Sequence, residues 1–136
     1  MVIGGYAVGA HGWPRATKDL DVWVEASTAN APRIIGALRT FGAPLHDLRE
    51  DDLHTPGTGF KIGIEPGRVD VLTKIAGIDF ADAWPNCLLV PFAPDVVCRV
   101  IGLADLMKNK RAAGRPQDLA DVDHLERQAA ARARRQ

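Results

Sequence analysis

Cysteine is scarce: Cys87 and Cys98 are the only two among 136 residues. With no Cys-x-x-Cys present, they form no disulfide framework and read as buried or half-buried thiols of a reducing compartment. Apolar runs near the ~18 residues that cross a bilayer are also missing, so no membrane partner is expected. The start lacks the basic segment and long apolar stretch of a secretory leader, because Met1-Val2-Ile3 runs straight into Gly4-Gly5. A cytoplasmic location is the expectation. Excess charge of one sign is absent too, since 17 Lys+Arg cancel 17 Asp+Glu. No global field then steers the chain onto nucleic acid, and such a contact needs a local patch, for which Arg15, Lys18, Lys61, Arg111 and Arg115 are the candidates. What is present, 46% hydrophobic and 25% charged residues, is the composition of an ordinary globular protein. The length suits one domain, which at this size buries roughly two-thirds of its unfolded surface.

Periodicity along the chain predicts alternating strands and helices. Val2-Ile3 is a very short apolar run ended by the glycine pair, and Tyr6 to His11 reads as a short helix stopped by Gly12 and Pro14. Leu20 to Val24 alternates as a strand. Ser27 or Thr28 is the expected cap of a helix carrying Ile34, Ile35, Leu38 and Phe41, with Gly42 at its end. Residues 43–58 are polar and rich in Pro and Gly, and read as a loop. Phe60 to Ile64 and Arg68 to Thr73 form an expected hairpin around Pro66-Gly67. Residues 78–84 suit a helical turn and Leu88-Leu89-Val90 a short buried strand. Two helices close the chain, one with Leu103, Leu106 and Met107 inward and ended by Gly114, the other begun at Pro116 with Leu119, Val122 and Leu125 inward. The Ala/Arg-rich end, Ala129 to Gln136, reads as a solvated extension. The fold class is α/β (α+β), with a small mixed sheet flanked by helices.

The stretch from Gly4 to Glu25 carries the chemistry. Glycines between a strand and a helix let backbone approach a ligand, although such a pair is more often a tight turn. In a strand, Asp19 and Asp21 point to one face while Leu20 and Val22 face the other. Two such carboxylates repel, which a solvated edge or a bound cation resolves. Asp70, in the otherwise apolar Arg68-Val69-Asp70-Val71-Leu72, points with Arg68 and Leu72. If its strand neighbours that of Asp19 and Asp21, three carboxylates converge. Hard divalent cations take oxygen ligands of this kind, and two of them can stabilise the attacking and leaving oxygens of a displacement at phosphorus. Lys110 follows Leu106 by four and Leu103 by seven, which turns it inward, where it needs an anion. His11 and the tryptophans Trp13, Trp23 and Trp84 read as packing residues. Arg115 and Asp118, at i and i+3, can pair and order the start of the last helix.

Gly4-Gly5, thirteen residues, Asp19-x-Asp21 and a later strand with Asp70 form a combination more specific than its parts. With Ala10 to Asp21 and the second block Lys110 to Asp121, the sequence resembles the minimal nucleotidyltransferases of the DNA polymerase beta superfamily. Within them it is similar to the bacterial abortive-infection and toxin-type nucleotidyltransferases. The resemblance implies a single nucleotidyltransferase-like domain over residues 1–136 with a polymerase-beta-like core. Because such relatives carry a helix and a longer strand before the glycine pair, the resemblance also carries the expectation of an N-terminus abbreviated relative to theirs. It implies that Gly4 and Gly5 hold a triphosphate and that Asp19 and Asp21 bind metal. Asp70 would be the third carboxylate, binding metal and assisting deprotonation of the attacking hydroxyl, and Lys110 would contact phosphates. Arg15, Thr17 and Lys18 would touch phosphate or the acceptor. Mg2+ is the implied cofactor, with Mn2+ as the alternative. A nucleoside triphosphate is the implied substrate, its nucleoside monophosphate passing to a hydroxyl on a protein, a tRNA end or a small molecule, with release of pyrophosphate. A toxin–antitoxin or phage-defence setting follows, with a cognate antitoxin or helical protein as partner. A short first strand also suggests an edge on which a second copy could pair as a homodimer. The other reading is a catalytically weak regulatory or binding module of the same fold, acting through a protein partner.

Overall fold

The computed structural model describes residues 1–136. Val2–Ile3 forms β1, both residues buried. Gly4 follows at φ of 67°, a left-handed conformation open to glycine, and the chain turns at once into helix α1, Gly4–Ala10. The glycine pair is therefore the first turn of this helix rather than a bend ahead of it. Ala7 and Val8 are buried on its inner side, while Tyr6 and Ala10, at helical spacing, are exposed on its outer side. Strand β2 (Asp19–Trp23) runs antiparallel to β1. Helix α2 (Ala31–Phe41) ends at Gly42 with φ of 91°. Ser27 does not cap that helix; its Oγ accepts from the Asn30 N–H at 3.0 Å and closes the turn before it.

The 43–58 stretch is more ordered than its polar composition suggests. It carries a 3₁₀ turn at Glu50–Leu53 and buries Leu48 and Leu53 with Ile34, Leu38 and Val71 in a second core. Strands β3 (Gly59–Ile62) and β4 (Arg68–Leu72) pair antiparallel as the hairpin pattern predicts. Helix α3 (Phe80–Ala83) leads to strands β5 (Leu88–Ala93) and β6 (Val96–Val100), a second hairpin. The expected short buried strand at Leu88–Val90 is thus corrected. It is longer and lies at the sheet edge, where Pro91 tolerates the missing N–H, and Leu89 is 64% exposed. Helices α4 (Leu103–Ala113) and α5 (Pro116–Arg134) complete the chain, separated by Gly114 at φ of 69°.

The result is an α+β fold, a six-stranded mixed sheet in the order β3-β4-β2-β1-β6-β5 with helices around it. The pairs β2–β4 and β1–β6 are parallel and the others antiparallel. Residues of α1, α4 and α5, notably Val8, Leu106 and Leu125, share one core with Val2, Trp23 and Val100. Short as it is, β1 has neighbours on both sides and lies inside the sheet. The edge that a short first strand suggested is therefore not there; the edges are β3 and β5. No helix is long and apolar enough to cross a membrane.

Candidate functional site

Parallel pairing of β2 with β4 aligns Asp19 with Arg68 and Asp21 with Asp70. Residues in register share a face, as do residues i and i+2 of a strand, so all four of these side chains project together. Leu20, Val22, Val69 and Val71 go to the opposite face and line a groove against α2. Gly4 lies directly beside the acidic group. A Cβ built on it would stand 2.2 Å from Asp21 Oδ2, so only glycine lets the backbone come this close to the carboxylate. Gly5 is similarly tight, with a built Cβ 2.8 Å from Thr17 Oγ1. The Thr17 hydroxyl in turn donates to the Asp19 carbonyl at 3.2 Å.

Charge is divided unevenly among the three aspartates. Arg68 bridges two of them, its Nη2 lying 2.9 Å from Asp19 Oδ2 and 3.1 Å from Asp70 Oδ2. Its Nε also sits 2.8 Å from Asp70 Oδ1. Asp21 has no ion pair. Burial, followed by repulsion from Asp70 and Asp19, pushes its carboxyl up to about 6. One oxygen of Asp19, Oδ1, is buried and has no hydrogen-bond partner. A carboxylate without a counter-ion and an unpartnered buried oxygen are the donors a hard divalent cation takes. The donor chemistry fits such an ion, although no three acidic, His or Cys side chains stand arranged to hold one as the chain is. Arg68 is the cation already between Asp19 and Asp70.

A second set of charges comes from the two C-terminal helices. Lys110 is 4% exposed, and its Nζ lies 2.8 Å from Asp121 Oδ2 and 3.3 Å from Asp118 Oδ1. Its inward turn follows the spacing from Leu103 and Leu106, and the anions it meets belong to its own chain. Arg15 forks onto Asp121 with Nε and Nη2 each at 2.8 Å, and Gln117 donates to the same carboxylate at 3.0 Å. Asp118 accepts from Arg115 Nε at 2.7 Å and from the Arg115 N–H at 3.2 Å, closing the start of α5. Burial alone would raise both carboxyls. For Asp118 the Arg115 and Lys110 partners outweigh it, for Asp121 Arg15 and Lys110 do, and both are held below the usual carboxylate range.

These groups line one trough. A cleft of about 420 Å³ bounded by Gly4, the three aspartates, Lys61 and Lys74 opens into one of about 190 Å³ with Gly5, Arg15, Thr17 and Gln117. Lys110 and Arg115 border both. Gly4, Gly5, Arg15, Thr17, Asp19, Asp21, Asp70 and Lys110 are thus brought together. Lys18 is not: its side chain is 73% exposed and lies 3.6 Å from Glu65. Arg111 likewise points elsewhere, pairing with Glu126. Arg68, Lys74, Asn109 and Gln117 are polar trough residues that motif spacing did not single out as site residues. Alternation along its strand does place Arg68 on the face of Asp70, but not as the partner of Asp19. His11 is buried, its Nε2 2.7 Å from the Ile101 carbonyl, and Trp13 stacks on His124. In comparisons with known proteins, no family model matches the chain and no curated protein matches it significantly.

Proposed function

We propose that the trough is the active site of a metal-dependent nucleotidyltransferase. The observation that carries the reading is Asp21 opposite Asp70 on adjacent parallel strands, with Asp19 on the same face and Gly4 against Asp21. Asp19, Asp21 and Asp70 would hold Mg2+ or Mn2+, which supplies charge stabilisation at phosphorus when bound. The reaction is an in-line displacement. The acceptor oxygen forms a bond to the α-phosphorus of a nucleoside triphosphate, the bond to the β-bridging oxygen breaks, and pyrophosphate leaves. The hydroxyl proton passes to a carboxylate of the trio, with Asp70 in that role. Arg115, Lys61 and Lys74 supply positive charge along the walls for phosphate oxygens, and Gly4 and Gly5 border the same space. The acceptor is a hydroxyl of a protein, a tRNA end or a small molecule.

Arg68 favours a second reading, a binding module of the same fold that acts through a protein partner, because it neutralises two of the three aspartates. Calorimetry separates the two. Under the transferase reading, nucleoside triphosphate binds in the presence of Mg2+ and Asp19→Ala or Asp21→Ala abolishes it. Affinity unchanged in both variants would remove that reading. Incubation with α-labelled nucleotides, tRNA, lysate and the protein itself then identifies the acceptor.

A further inference from the structure

Next to the trough, with Gly5, Arg15 and Thr17 as shared walls, lies a pocket of about 520 Å³, within the ~300–1,000 Å³ range of ligand sites. The walls of this pocket carry aromatic rings from two separate elements. Tyr6 comes from the outer face of α1 and Phe92 from β5, and they are 44% and 40% exposed. Gly9 and Ala10, on the same helix face as Tyr6, leave the space beside the ring open, and a Cβ on Gly9 would meet nothing nearer than Pro14 at 3.8 Å. Phe92 sits at an irregularity of the β5–β6 ladder, where Pro91 pairs with Val97 and Ala93 with Val96, leaving Phe92 as the extra residue. Such a bulge breaks the alternation and re-aims a side chain, which is how Val90, Pro91 and Phe92 all come to border one pocket.

We infer that this pocket receives the base of the nucleotide, stacked on Tyr6 and Phe92, and that it favours purines over pyrimidines. The inference rests on the transferase reading of the adjoining trough. Its physical ground is that two solvated aromatic rings beside a phosphate-sized cleft form a stacking platform for any flat heteroaromatic ring. Selectivity follows from what the walls lack. Arg15 is the only charged residue there, and its Nε and Nη2 are on Asp121 while its Nη1 is on the Ala16 carbonyl. The Thr17 hydroxyl donates to Asp19. The Thr17 proton and three of the five Arg15 N–H bonds are thus engaged, so stacking area outweighs the reading of base edges: adenine and guanine bind alike, and both bind better than cytosine and uracil.

The test measures Mg2+-dependent binding of ATP, GTP, CTP, UTP and inorganic tripolyphosphate to the full chain and to Tyr6→Ala, Tyr6→Phe and Phe92→Ala. Both sites are half-exposed, so a thermal melt is expected to show all three variants folded. Tyr6→Ala and Phe92→Ala each weaken ATP and GTP about tenfold, within the range of base–aromatic stacking. Tyr6→Phe retains affinity, and tripolyphosphate binds all of them equally. Equal affinity for the four nucleotides, or alanine variants that bind ATP as the parent does, overturns the base site while leaving the transferase reading intact. Loss of tripolyphosphate binding together with ATP in the alanine variants also overturns it, because the rings would then be shaping the trough. If the parent chain binds neither tripolyphosphate nor any nucleotide with Mg2+, the transferase reading fails and this inference fails with it.

Discussion

Asp21 shows how one side chain can be unfavourable to the fold and still be kept. It sits among two other carboxylates, against Gly4, and the one nearby guanidinium that bridges acids, Arg68, serves its neighbours instead. The folded chain therefore holds the Asp21 proton up to about pH 6, whereas a free aspartate loses it near 3.8. Above pH 6 both folded and unfolded chains carry the charge, and the folded one bears the added cost of burial and repulsion. As pH falls through 6 the folded chain protonates first and the cost is relieved, so this group stabilises the fold progressively toward acid. Asp21→Asn removes the charge with little change of shape. At pH 7.5 without divalent ions it is expected to raise stability on the order of 1 kcal/mol, the solvent around a half-buried carboxylate screening the rest. Urea titration of both proteins checks this. A variant less stable than the parent would mean that Asp21 holds the fold rather than a ligand.

At the scale of elements, strands β2 and β4 were legible because two-residue alternation sorts acids from aliphatics without further information. Their partnership was not, since Arg68 and Asp19 are remote in sequence and alternation names a face but not a neighbour. The same limit applies to Lys110. Helical spacing turns it inward, yet Asp118 and Asp121 become its partners only through the way α4 and α5 cross. Strand β6 went unseen because Pro91 and Pro94 interrupt the apolar pattern, and the ordering of 43–58 depends on two leucines in a polar stretch. The α4–α5 junction carries its own prediction. Lys110 is nearly fully buried and binds both aspartates, and Arg15 ties Asp121 to the segment after α1. Lys110→Met leaves Asp121 buried with one cation fewer, a change that typically costs about 3–5 kcal/mol. Chemical denaturation is expected to show a loss of that order. A loss under about 1 kcal/mol would make Lys110 a ligand group that the fold does not need.

Over the whole molecule these groups act in opposite directions on the pH axis, which makes the stability profile a readout of the site. Net charge is zero near neutrality, so global repulsion contributes little there and local groups dominate. Asp118 and Asp121 have folded-state values below the ordinary one, so their stabilisation is complete above pH ~4 and is lost as the pH falls through their lowered range. Asp21 works the other way, its cost present above about 6 and relieved below it. Without divalent cations the unfolding free energy should therefore rise from pH 7.5 to about pH 5 and fall steeply below about pH 4. Asp21→Asn should flatten the upper limb and leave the acid limb in place, whereas Lys110→Met should weaken the acid limb and keep the upper one. Mg2+ should raise stability mainly at the upper end, by mass action on the folded state, where ionised Asp21 is available to it. Parallel denaturant titrations of the three proteins at five pH values, with Mg2+ and with chelator, decide the matter. An upper limb unchanged by Asp21→Asn and by Mg2+ alike would mean that the aspartate trio is paired internally and does not await a cation.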